Sequence, residues 1–280
     1  MTRLEPGQVL DHLRQLPPLA PVVVELLASF ADDGVDSSRI AAQIARDQAL
    51  TASVLRVANS SFYGLQNKVG TIGDAIVVLG FRAVRSMVLA IGVQGAFRAG
   101  SCPGFDSQAY LRHCVLVGAV ARGLAGESGH HAELAFTGGL LHDIGELVLA
   151  ANFSAPYAQV MAFREAHGCF LVAAERAVLG IDHAAVGGLL AEAWRFPEAL
   201  YQAIADHHQP AARHTASLAD LIHVADAITH GLGIARLPDE LVMPVDAGAW
   251  QRLAMSGERI RAVLPAAVAG MDEASAAFSA

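Results

Sequence analysis

Apolar residues recur along this chain at the three- and four-residue spacing of a helix face. Behind Asp36-Ser37-Ser38, Ile40, Ala41 and Ile44 share one stripe, and Leu50, Val54, Val57 and Ala58 extend it at i, i+4, i+7 and i+8. Thr71 suits the N-cap of a helix over 72–79 that Gly80 closes, and Phe81, Val84, Val88 and Ile91 resume the stripe. No run of alternating residues bounded by turn signals makes a strand, so the pattern predicts an all-α protein. Residues 98–107, rich in Gly, Pro and Ser, interrupt the periodicity, and the boundary between two packed helical lobes is placed there. The second half then predicts helices over 108–125, 133–141, 144–151, 155–167, 171–179, 183–194, 197–207 and 217–231. Pro197 suits a first helical turn, where its missing N–H is not needed. The expected organisation is an N-terminal helical lobe over 1–100, a helical core over 101–235 and a Pro-interrupted C-terminal helical extension over 236–280.

Composition narrows the function classes. Of the 280 residues, 54% are hydrophobic and 16% charged, enough apolar material for a sizeable core and too much for a disordered chain. A formal net charge of −8 with no basic stripe speaks against nucleic acid as a partner. The mean hydropathy of +0.41 raises the question of a membrane span. The longest candidate, 75–97, carries Arg82 and Arg85 in its middle, and 114–126 is short and holds Arg122. The N-terminus lacks the apolar centre of a signal peptide. Cys102, Cys114 and Cys169 form no CxxC pair, and an odd count argues against a disulfide framework. A cytoplasmic protein without a membrane partner is the expectation.

The residues that carry chemistry are histidines and two aspartates of the second half. His113 lies inside the long helix, His142-Asp143 opens Ile144-Gly145, His183 starts a helix, His207-His208 ends one, and Asp226 lies mid-helix. Imidazole and carboxylate are the donors that borderline divalent metals prefer. One helix face presents only two or three such groups, so a two-metal site in an all-α protein must gather them from several helices. Two divalent ions against the charges of Asp143 and Asp226 leave two positive charges, which suits a hydroxide and a small anionic ligand such as phosphate.

His113, then His142-Asp143, then Asp226 resembles the H…HD…D signature of the HD phosphohydrolase superfamily. His183 and His207-His208 match the further histidines of HD-GYP cyclic-dinucleotide phosphodiesterases. The first half is similar to a sister family, the HDOD (HD-related output) domains. The matching stretches are Leu16-Pro17-Pro18-Leu19, Ile44 to Asp47, Leu55 to Gly64 and Ala75 to Gly80. The resemblance implies metal ligation by His113, His142, Asp143, His183, His207, His208 and Asp226, with Asp143 bridging two ions and central to catalysis if the site is active. The ions implied are iron, manganese, zinc or nickel. It also implies a signal-transduction output domain, of the kind found downstream of response regulators, that relays a state to a protein partner. The alternative is a metal-dependent phosphohydrolase acting on a nucleotide or phosphoester.

The sequence departs from the HD-GYP pattern. Glu146 stands where those enzymes carry a lysine, no Gly-Tyr-Pro follows His207-His208, and Ala109 replaces an acidic ligand one turn before His113. Cyclic di-GMP hydrolysis is therefore not expected. His12, His130, His131, His167, His214 and His230 have no motif context and are expected at the surface. His223, one turn before Asp226, reads as an ordinary helix-face residue, with support of the cluster as the alternative. Asn59 to Gly64 reads as a helix end, with Asn59 tolerating the left-handed conformation and Gly64 turning the chain.

Overall fold

The computed structural model describes residues 3–30, 36–97, 102–211, 213–234 and 241–279. Among them there is no strand, as the periodicity predicts. The first half holds α1 (Pro6–Leu13), α2 (Pro21–Ala28), α3 (Ser37–Ile44), α4 (Gln48–Ala58), α5 (Ile72–Leu79) and α6 (Phe81–Gln94). The second holds α7 (Ser107–Ala125), α8 (Ala132–Leu141), α9 (Ile144–Asn152), α10 (Ser154–His167), α11 (Leu171–Val178), α12 (His183–Ala193), α13 (Glu198–Ala205) and α14 (Leu218–Leu232). Three helices follow: α15 (Ala247–Arg252), α16 (Gly257–Val268) and α17 (Met271–Ser279). Of the 98–107 break, residues 98–101 lie outside the described residues.

Side-chain caps fix many of the starts. Asp36 accepts from the N–H groups of Ser38 and Arg39, Asp47 from Leu50 and Asp182 from Ala185. Thr71 with Asp74, and Ser217 with Asp220, form reciprocal capping boxes. Each such cap contributes about 1 kcal/mol. Pro197 is itself the cap residue, with ψ 143°, so α13 begins one residue later than its sequence suggests.

The apolar core is continuous from Leu4 to Phe278. α7 is its axis: α8, α14, α16 and α17 pack on it. α6 lies on α8, and α2, α4 and α5 lie on α6, which ties the first half to the second. Ala132–Asn152 is apolar enough by composition to cross a membrane, but 83% of its most apolar window is buried inside this core. α7 and α8 meet backbone to backbone. A Cβ on Gly139 would overlap the backbone of Gly118, and one on Gly118 would come within 2.9 Å of the Phe136 carbonyl.

The Asn59–Gly64 segment is a structural turn, though not by the conformation expected of Asn59, whose φ is −87°. Its amide instead clamps Val69, donating to the Val69 carbonyl at 2.9 Å and accepting the Val69 N–H at 2.8 Å. Gly64 makes the turn at φ 59°. The Phe62 and Tyr63 rings then lie under the Arg122 guanidinium of α7, at 4.5 and 5.6 Å. Trp194 packs at a helix junction, stacked on Phe97 with ring centroids 5.6 Å apart. Cys102, Cys114 and Cys169 are free thiols.

Candidate metal centre

Five segments converge where the core of the second half meets the surface. α7 supplies His113, the α8–α9 turn His142-Asp143, the start of α12 His183, the end of α13 His207-His208 and α14 Asp226. Gly145 makes the convergence possible. Any side chain there would overlap the His183 carbonyl, so α9 and α12 touch through backbone, and His183 is brought over Asp143.

All the sequence-predicted donors meet. Asp143 sits at the centre and shows a different oxygen to each side. Its Oδ2 lies 3.0 Å from His142 Nε2 and 3.4 Å from His113 Nε2; its Oδ1 lies 3.3 Å from both His183 Nε2 and His207 Nε2. His208 Nε2 stands 2.8 Å from His183 Nε2. Asp226 Oδ1 is 3.1 Å from His113 Nε2 and 3.9 Å from His142 Nε2. Donor atoms of Asp143, His183, His207 and His208 lie within 4.8 Å of one another, and so do those of His113, His142 and Asp143.

The chemistry of this donor set fits a metal. Nδ1 of His142 faces the Gly139 carbonyl at 2.8 Å, Nδ1 of His207 faces the Ile204 carbonyl at 2.8 Å, and Nδ1 of His183 faces Glu175 at 2.7 Å. Each acceptor places the ring proton on Nδ1 and leaves the Nε2 lone pair aimed into the cluster. Nε2 of His113, His142 and His207 and Oδ1 of Asp226 are buried without a hydrogen bond. Orphaned polar atoms of this kind are costly in a protein interior, and a cation removes the cost. These residues could hold a metal.

The electrostatics of the metal-free cluster agree. Burial raises the Asp143 carboxyl, but His142, His113 and His183 outweigh it and hold the group well below the carboxylate range. Burial likewise acts against Asp226, which His113 and His230 hold well below that range. His113 is raised to about 10: burial lowers it, but Asp143 and Asp226 win. His183 rises well above its ordinary value, because Glu175 and Asp143 overcome burial. His207 and His208 go the other way, chiefly through burial.

Three residues beside the cluster were not read as part of it from the sequence pattern. His230 is not a surface residue: its Nε2 lies 3.3 Å from Asp226 Oδ1, its ring 4.7 Å from that of His113, and it forms a donor group with them. The position of His230 four residues after Asp226 on one helix was the available signal. Glu175, fully buried, accepts both the backbone N–H (2.9 Å) and Nδ1–H (2.7 Å) of His183, and Tyr157 donates to it at 3.3 Å. His223 takes the supporting role rather than the ordinary one. Its Nδ1 donates to the His207 carbonyl at 2.7 Å, and its Nε2 accepts the Asp246 N–H at 2.8 Å. His131, His167 and His214 are exposed as expected, while His12 and His130 are half-buried.

A cavity of about 70 Å³ opens above the cluster; its wall includes Tyr110, His113, Glu146, Arg164, His208 and His230. A neighbouring cavity of about 420 Å³ shares Tyr110, Glu146 and Arg164 with it. Burial, then the Asp143 charge, push Glu146 up to about 8. In the metal-free protein at neutral pH it is therefore mostly uncharged.

The fold is an all-helical core with a buried His/Asp cluster, gathered from five segments, that could hold a metal ion. The chain belongs to the HDOD domain family, whose model matches residues 16–210. A solved structure from Shewanella amazonensis SB2B, named "putative phosphohydrolase", is 29% identical, with a TM-score of 0.76 over 96% of this chain and 97% of that one. One from Marinobacter aquaeolei VT8, named "putative signal transduction protein", is 22% identical with a TM-score of 0.80, covering 100% of this chain and 63% of that one. An uncharacterized protein of Treponema pallidum is 24% identical over 204 residues, which span 72% of this chain and 39% of that protein.

Proposed function

We propose that this chain is a signal-relay output domain whose His/Asp cluster holds two divalent transition-metal ions. Asp143 would bridge them, with His183, His207 and His208 on one ion and His113, His142 and Asp226 on the other. The observation that carries the metal reading is the set of buried Nε2 lone pairs whose Nδ1 protons are already bonded elsewhere. Imidazole-rich donation favours iron, manganese, zinc or nickel over calcium.

Charge supports relay over hydrolysis. Two divalent ions bring four positive charges. Asp143, Asp226 and the buried Glu175 behind His183 return three, one more than the two cluster carboxylates alone. Glu146 stands ready to ionise once metal is bound, so little charge remains to draw a phosphodiester anion. Arg164, on the same wall, favours a small anion instead. The partner that reads the domain's state would be a cytoplasmic signalling protein; the Marinobacter relative of this chain is itself named a signal transduction protein.

The second reading, a metal-dependent phosphohydrolase, is favoured by the complete ligand set and by the name of the Shewanella relative. Elemental analysis of protein purified without chelator tests the metal. A phosphohydrolase panel on wild type and Asp143→Ala separates the two functions. Turnover that Asp143→Ala abolishes would replace the relay reading by the enzyme.

A further inference from the structure

The cluster has a back and a front. His142 and His207 are fully buried and lie off the cavity wall, whereas His208 and His230 line it. His230 has 17% of its side chain exposed, against 3% for His113 and 4% for Asp226. α14 stacks Asp226 and His230 one turn apart on one face, and His230 Nε2 reaches to 3.3 Å of Asp226 Oδ1. The donor atoms of His113, Asp226 and His230 lie within 4.8 Å of one another.

We propose that His230 ligates the ion held by His113, His142, Asp143 and Asp226, entering from the cavity side and taking a coordination position that a hydrolase leaves to water. The proposal rests on the two-ion reading above. Its consequence is an asymmetric pair. The His183–His207–His208 ion keeps its remaining positions for water or a small anion. The other ion has imidazole on its open face, and an octahedral shell there leaves one place at most. A metallohydrolase needs an open position for the nucleophile it generates and another for the oxygen it polarises. His230 would therefore bind metal more tightly at the expense of substrate access.

The test compares wild type, His230→Ala and His230→Asp loaded with Mn²⁺. Affinity and stoichiometry come from chelator competition, exchangeable water from proton relaxation enhancement, and integrity from thermal unfolding. Wild type should bind two ions. His230→Ala should keep the first with unchanged affinity, hold the second at least about tenfold more weakly, and show a higher relaxation enhancement when saturated. His230→Asp, which restores a donor, should recover the affinity. A second-ion affinity within about twofold of wild type in His230→Ala, with unchanged relaxation, would overturn the proposal. Equal weakening of both ions would overturn it too, because His230 would then serve the cluster as a whole. Wild-type protein that takes up no metal would remove the two-ion reading itself, a distinct result.

Discussion

Glu175→Gln isolates the charge behind His183 from the hydrogen bonds that hold it. In the native protein, Oε2 of Glu175 accepts two donors of His183, and Oε1 accepts the Tyr157 hydroxyl. A glutamine can turn its carbonyl to His183 and its amide to Tyr157, whose hydroxyl also accepts. The contacts survive and only the negative charge goes. A carboxylate behind a ligating imidazole raises ligand basicity, and losing such a partner weakens metal binding by about 10–100-fold, roughly 1.4–2.7 kcal/mol. Glu175→Ala is a poorer probe, because it strands buried donors at about 1–3 kcal/mol each and confounds folding with binding. Chelator competition with Co²⁺ or Zn²⁺ reads the affinity, and the d–d spectrum of the Co²⁺ form reports its ligand field. If Glu175→Gln unfolds like wild type and binds within twofold of it, the carboxylate–imidazole pair is not tuning the metal.

Further outcomes follow from the same geometry. Metal uptake at pH 8 should release at least about one proton, because Asp143 and Asp226 hold His113 near 10; calorimetry in buffers of different ionisation enthalpy counts them. In chelated protein, the raised His113 contributes stability that is complete below about pH 6.5 and is lost as pH rises toward 10, so Tm should fall over that window. Metal-loaded protein should show no such fall, since protons compete with the ions. Gly145→Ala should destabilise by about 2 kcal/mol or more in urea, its methyl meeting the backbone of His183 and Gly187 rather than movable side chains. Cyclic di-GMP should not be turned over by the iron- or manganese-loaded wild type, and a gain of turnover in Glu146→Lys would show a metal pair blocked by its surroundings.

The helical class and the principal donors were legible because both leave local marks. Helical periodicity is a property of neighbouring residues, and His142-Asp143 or His207-His208 are short pairs with an ordered spacing between them. What the sequence hid depends on approach between segments. Glu175 meets His183 only because the chain turns back through Gly180, at φ 79°, and a glutamate on a short helix carries no mark of that return. His223 is bonded to the His207 carbonyl from another helix, which no spacing within α14 reveals. His230 was readable in principle, since i+4 from a donor aspartate is the same face. Glu146 is plain in the sequence as a residue type, but its protonation is set by burial and by Asp143.

The bare contact between Gly118 and Gly139 decides which parts of the centre can move. With no side chains between them, α7 and α8 cannot slide or roll without backbone collision. His113 lies about 7.5 Å along α7 from Gly118, and His142-Asp143 follows Gly139 within a turn, so these donors share one stiff frame. Adjustment between filled and empty states then falls to the segments that reach in from outside that frame. These include the end of α13, which carries His207 and His208 on a short non-helical turn, and the last turn of α14, which carries His230. A change in occupancy is in that sense a hinge problem, with α7 and α8 as the fixed leaf.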